Sequence, residues 1–108
     1  MTAEDFFAIT PSGDSEVVDI LLQSDNCRIQ RIVSCGQSSP LGFWYDQDED
    51  EWLILLQGEA GLLIEGGQKI ILSAGQYIFL PAHQKHRLQY TSIEPPCIWL
   101  CVFADFSH

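Results

Sequence analysis

The chain has 108 residues, 46% of them hydrophobic, and its 15 Asp and Glu outweigh 5 Lys and Arg to give a formal net charge of −10. That length supports one domain, 1–108, built on a single core, and no apolar run is long enough for a membrane-spanning helix. The acidic excess repels phosphate backbones and anionic lipid alike, so neither nucleic acid nor a membrane is an expected partner.

The N-terminus, MTAEDFFAIT, carries no Lys or Arg and so does not read as a signal or transit peptide; a cytoplasmic protein is expected. Thr2 to Gln23 holds an apolar patch at Phe6, Phe7 and Ile9, a turn at Pro11-Ser12-Gly13 and a short strand over Val17 to Leu22. Arg28 to Val33, RIQRIV, alternates as a half-exposed strand does, and the loop Gly36 to Pro40 ends its pairing at the proline. A strand is expected over Leu41 to Gln47, followed by strands at Trp52 to Leu56, Gly61 to Ile64 and Lys69 to Leu72, the last two joined by a tight turn at Gly66-Gly67. These read as a β-meander. Short strands at Tyr77 to Leu80 and His86 to Tyr90 flank the compact turn Pro81 to Lys85, and Pro95-Pro96 precedes the apolar strand Cys97 to Phe103. About eight or nine short strands with no helical segment make an all-β sandwich or small barrel.

Cys97 and Cys101 lie on one face of a strand and are separated by about 13 Å of strand rise, too far for a disulfide. All four cysteines read as reduced thiols. The stretch on which the chemistry turns is Asp46 to Gly58, DQDEDEWLILLQG, where an acidic run becomes apolar within one residue. An unpaired carboxylate in an apolar interior costs several kcal/mol, so most of Asp46, Asp48, Glu49, Asp50 and Glu51 must face water. Glu51 is the exception, because strand alternation puts it on the face of Leu53 and Leu55. Asp46, Asp48 and Asp50 imitate the start of an EF-hand loop, but Glu51 and Gln57 occupy its glycine and terminal glutamate positions, and no helices flank it.

Two spacings resemble those of the cupin superfamily. Gly42, Glu51 and Gly58 fall on the first motif of that family, and Gly75, Pro81 and His86 fall on the second. The resemblance implies a single-domain cupin jelly-roll β-barrel with its core over about 28–103, residues 1–27 forming an extra strand or arm. In the family, Glu and His from different strands converge at one end of the barrel on a divalent metal. Here the family's His-x-His pair is replaced by Tyr45 and Gln47 or by Trp44 and Asp46, and a strand can turn only one of these pairs inward. We favour Tyr45 and Gln47. His83 stands where the family has the glycine of Pro-x-Gly.

The resemblance implies a divalent metal (zinc, iron, manganese or nickel) held by Glu51 and His86 with Asp46 or Gln47, or with His83 joining them. It implies a small-molecule ligand in the barrel, an isomerase-, lyase- or dioxygenase-like step with Tyr45 as the orienting or acid/base residue, and a homodimer. The alternative is a metal-free ligand-binding or sensory module. Fold by itself does not choose between them.

Overall fold

The computed structural model describes residues 1–10 and 13–106, so Pro11 and Ser12 of the expected turn lie outside the described residues. Among the described residues there is no helix, and eight strands form two antiparallel sheets. They are β1 (Val17–Gln23), β2 (Cys27–Ser34), β3 (Asp50–Gln57), β4 (Glu59–Ile64), β5 (Lys69–Ser73), β6 (Tyr77–Leu80), β7 (His86–Thr91) and β8 (Cys97–Ala104). One sheet runs β1-β2-β8-β3-β6, and the other β5-β4-β7. This is a jelly roll.

The core lies between the sheets and follows from period-two alternation. On β3, Glu51, Leu53 and Leu55 turn inward, and their neighbours on β8 are Phe103, Cys101 and Trp99. Leu62, Ile64, Leu72 and Leu88 face them from the second sheet. Leu55 is fully buried at 0% exposure, so Leu55→Ala would leave a cavity costing about 2–5 kcal/mol.

Two expected elements differ. Leu41 to Gln47 is not a strand; its only ladder contact among the described residues is the isolated bridge of Tyr45 with His86. Its first three residues, Leu41 to Phe43, are instead spent with Pro40 on a turn closed by Phe43 N–H donating to Pro40 O at 3.0 Å. The meander is also interrupted, because β3 and β4 belong to different sheets, and of its three strands β4 and β5 alone pair as a hairpin. Gly58, at φ 93°, carries the chain from one sheet to the other. There is no helix long and apolar enough to cross a membrane among the described residues.

Candidate functional site

The inner faces of both sheets enclose a cavity of about 250 Å³. Its walls are mainly apolar, with Ile32, Leu53, Leu62, Leu88, Trp99 and Phe103, and its polar residues include Tyr45, Gln47, Glu51 and His86. These four come together from three segments for definable reasons. Glu51 is the second residue of β3, where alternation points it inward; His86 opens β7 and is aligned beside β4 through the register Ile64↔His86. Tyr45 is held by reciprocal backbone bonds, its N–H donating to His86 O at 2.7 Å and accepting at O from His86 N–H at 3.2 Å. Two residues on, Gln47 O accepts from His83 N–H at 2.8 Å. The segment is thus stitched along the start of β7, and its alternation turns Tyr45 and Gln47 into the cavity.

The geometry inside is specific. Glu51 and His86 are both buried, and the His86 Nε2 to Glu51 Oε1 distance is 3.9 Å, too long for a direct hydrogen bond. Gln47 Nε2 donates to the same Glu51 oxygen at 3.1 Å. His86 Nδ1 lies 2.9 Å from Gln84 O, a carbonyl that can only accept, so Nδ1 carries a proton, and Nε2 faces Glu51. The Tyr45 ring stacks on the His86 ring with centroids 5.3 Å apart and planes 20° off parallel.

Burial raises the Glu51 pKa above the ordinary carboxylate value, and the Gln47 hydrogen bond, His86, the Cys101 thiol and Arg28 offset this only in part. Burial, and then the carboxylates of Glu16 and Glu51, also raise the Tyr45 phenol. Burial first, then Glu51, pushes the Cys101 thiol well up, so it stays protonated and unreactive.

The other two candidates lie elsewhere. His83 Nδ1 is 2.8 Å from Asp46 Oδ1 and its Nε2 is 3.5 Å from Asp48 Oδ1, on the outer surface, and neither His83 nor Asp46 lines the cavity. His83 takes the left-handed backbone conformation, φ 64°, that the family's glycine would adopt. The substitution therefore keeps the turn but points the imidazole away from Glu51. Sequence reading missed Glu16, Arg28, Gln30 and Cys101, which also line the cavity. The alternation of RIQRIV carried the signal for Arg28 and Gln30, since it puts both on the face of Ile32.

A catalytic zinc takes about three protein ligands. The cavity supplies two firm donors, Glu51 and His86 Nε2, and beside them a neutral amide, a phenol and a protonated thiol. Among the described residues no three His, Cys, Asp or Glu side chains are grouped to hold an ion. This donor set does not fit a tightly held divalent metal.

No protein of curated function matches the chain. Among solved structures, a protein of Ralstonia eutropha JMP134 described as a candidate mannose-6-phosphate isomerase is 36% identical over 97% of this chain and 99% of its own, with a TM-score of 0.91. A cupin superfamily protein of Desulfitobacterium hafniense DCB-2 is 23% identical over 90% of this chain and 84% of its own, TM-score 0.76. The polyketide cyclase RemF of Streptomyces resistomycificus is 18% identical over 96% of this chain and 79% of its own, TM-score 0.74. The last two show the fold alone. The cupin-domain family model matches residues 34–103, which span β3 to β8 and every residue of the Tyr45, Gln47, Glu51 and His86 cluster. With two sheets in jelly-roll order and a Glu and a His converging inside, the chain belongs to the cupin family.

Proposed function

We propose that the protein binds a small, largely apolar molecule in the barrel and moves a proton on it by acid–base chemistry of Glu51, Tyr45 and His86, without a resident metal. The observation that carries this reading is the buried Glu51–His86 pair, 3.9 Å apart in an otherwise mainly apolar cavity of about 250 Å³. That volume is below the usual range of about 300–1,000 Å³ for ligand pockets, so the ligand is a small metabolite.

Glu51 is suited to the general base, because a carboxyl raised by burial holds a proton closer to neutral pH than an exposed one does. In the forward step its carboxylate takes a proton from the carbon next to a carbonyl, the C–H electron pair becomes the C=C bond of the enolate, and the C=O π pair moves onto the carbonyl oxygen. The Tyr45 phenol, kept protonated by its surroundings, donates a hydrogen bond to that oxygen. His86 Nε2 takes that proton from Glu51 and exchanges it with water, and a proton returned to the same carbon re-forms the carbonyl. The net result is proton exchange next to the carbonyl; where that carbon bears a hydroxyl, transfer of the hydroxyl proton to the enolate oxygen and protonation at the former carbonyl carbon give an isomerisation.

A phosphosugar, the substrate class in the description of the Ralstonia protein, suits this cavity less well. Its lining cation, Arg28, is already 3.0 Å from Glu49, and Glu16 and Glu51 would repel a phosphate dianion.

The test is proton NMR in D2O with small enolisable ketones and aldehydes, following loss of the hydrogens next to the carbonyl. Exchange catalysed by wild-type protein and reduced about 100-fold or more in Glu51→Gln is expected. A ligand that binds with no catalysed exchange would leave a binding module as the function. Mannose-6-phosphate turnover by untreated protein would overturn the substrate class.

A further inference from the structure

Three residues lining the cavity carry formal charges, Glu16, Arg28 and Glu51, and they differ in what they have left to offer a ligand. Arg28 is engaged twice: its Nη1 lies 3.0 Å from Glu49 Oε1 and 3.3 Å from Oε2, and its guanidinium sits 4.3 Å from the centroid of the Phe103 ring. Its charge is already matched. Glu16 forms no ion pair among the described residues; its partner is a hydroxyl, Ser34 O–H donating to Glu16 Oε2, while Trp99 Nε1–H donates to Ser34 Oγ at 3.1 Å. Ser34 is fully buried and spends its one hydroxyl proton on Glu16, so this relay fixes the carboxylate against the cavity wall without neutralising it. Glu16 Oε1 makes no hydrogen bond among the described residues.

The surroundings say what that oxygen can take. After burial, Glu16 is the next cause that raises the Tyr45 phenol, and after burial and Glu51 it also raises the Cys101 thiol. Tyr45 comes from the segment stitched to β7 and Cys101 from β8 in the other sheet, so the charge of Glu16 is felt on both walls. In the same space His86, 6% exposed, faces Glu51 with an Nε2 that makes no hydrogen bond, 3.9 Å being too long for one. A wholly apolar ligand would strip water from these groups and leave them unpaired, which is costly for a polar atom and more so for a charge. An anion would meet two carboxylates and a guanidinium that is already paired. A small cation bearing an N–H satisfies Glu16 with a charge-assisted hydrogen bond, and the net charge of −10 raises the concentration of such cations around the molecule.

We propose that the ligand carries a protonated amine, held in the cavity by the Glu16 carboxylate on its Ser34–Trp99 relay, while its carbonyl faces Tyr45 and Glu51. Glu16 then selects the ligand by charge. The inference rests on the acid–base reading for the carbonyl and adds one charged group to an otherwise apolar ligand. The ammonium group takes no part in the proton transfer.

The experiment compares two ketones of matching shape, (dimethylamino)acetone, protonated at about pH 6.5, and 4-methyl-2-pentanone, its uncharged isostere. Dissociation constants from amide chemical-shift titrations of the wild-type protein should favour the charged ketone by about tenfold or more, and Glu16→Gln should remove that preference. Exchange of the hydrogens next to the carbonyl is followed in D2O with the same two ketones. Equal affinity of the wild type for both, or binding of neither, would overturn the proposal. So would a charge preference that a folded Glu16→Gln variant keeps. If circular dichroism shows that variant unfolded, the wild-type comparison decides alone. Preferential binding of the charged ketone without catalysed exchange would uphold selection by charge and sink the acid–base reading, whereas exchange of both ketones with no charge preference would do the reverse.

Discussion

Glu51 is a carboxyl that folding takes out of water and only partly compensates, through one 3.1 Å bond from Gln47 and an imidazole 3.9 Å away. Its raised pKa has a thermodynamic consequence with a definite sign. The folded state holds the Glu51 proton more tightly than the unfolded chain does, so the contribution of Glu51 to stability is fully present below the ordinary carboxylate pKa and is lost as pH rises through the folded-state pKa. Glu51→Gln keeps an acceptor for Gln47 and removes the buried charge. The variant should melt above wild type at pH 7, by about 4 °C or more for each kcal/mol recovered, and the gap should close at pH 4, as read by thermal denaturation. A variant less stable than wild type at pH 7 would mean that the ionised carboxylate is a net stabiliser. His83 shows a different residue-level compromise: it adopts φ 64° for an exposed ion pair with Asp46, a contact worth little at 63% and 42% side-chain exposure.

At the scale of elements, the site depends on two short connections rather than on long strands. Gly58 sends the chain from β3 in one sheet to β4 in the other, and a Cβ there would sit 2.8 Å from Ser92 Oγ, 2.9 Å from Cys97 Sγ and 3.0 Å from Cys97 Cα. The last atom is backbone and cannot swing aside. Gly58→Ala combines that overlap with a positive φ of 93°, and a loss of about 3 kcal/mol or more is expected in urea denaturation. Gly66→Ala, at φ 103° with open space around it, should cost only the backbone term of about 1–2 kcal/mol. Equal losses at the two positions would show that the neighbours of Gly58 move aside. The second connection, from Ser39 to Gln47, was expected to hold a strand and does not. Its apolar residues Leu41 and Phe43 are exposed, and its backbone is satisfied by single bonds to β7 rather than by a ladder. Local alternation alone could not reveal that, because the partner that captures Tyr45 lies 41 residues away at His86.

Across the whole molecule, stability rests on the apolar contact between two sheets, with Leu53, Leu55, Leu62, Leu72, Trp99 and Phe103 in one cluster. A metal has no part in that cluster. Dialysis against EDTA should leave the melting temperature of the wild-type protein unchanged, and elemental analysis should find well under one ion per chain. A melting temperature that falls on chelation and recovers with zinc or manganese would show that Glu51 and His86 hold an ion with weaker donors. The sequence by itself determined the all-β class, the cupin family, most strand positions and the inward face of Glu51. These follow from period-two alternation, turn glycines and the spacing of two motifs, all of which are local along the chain. It also narrowed the first-motif alternatives to two pairs. Only the tertiary structure decided between them, because the bonds of Tyr45 to His86 and of Gln47 to His83 select which alternate residues turn inward. It also decided that β3 and β4 part company, that His83 faces Asp46 instead of Glu51, and that Arg28 and Glu16 reach the cavity. Each of those outcomes is set by pairing between segments distant in sequence, where the free energy of closing and burying one arrangement over another is not written in any short stretch of residues.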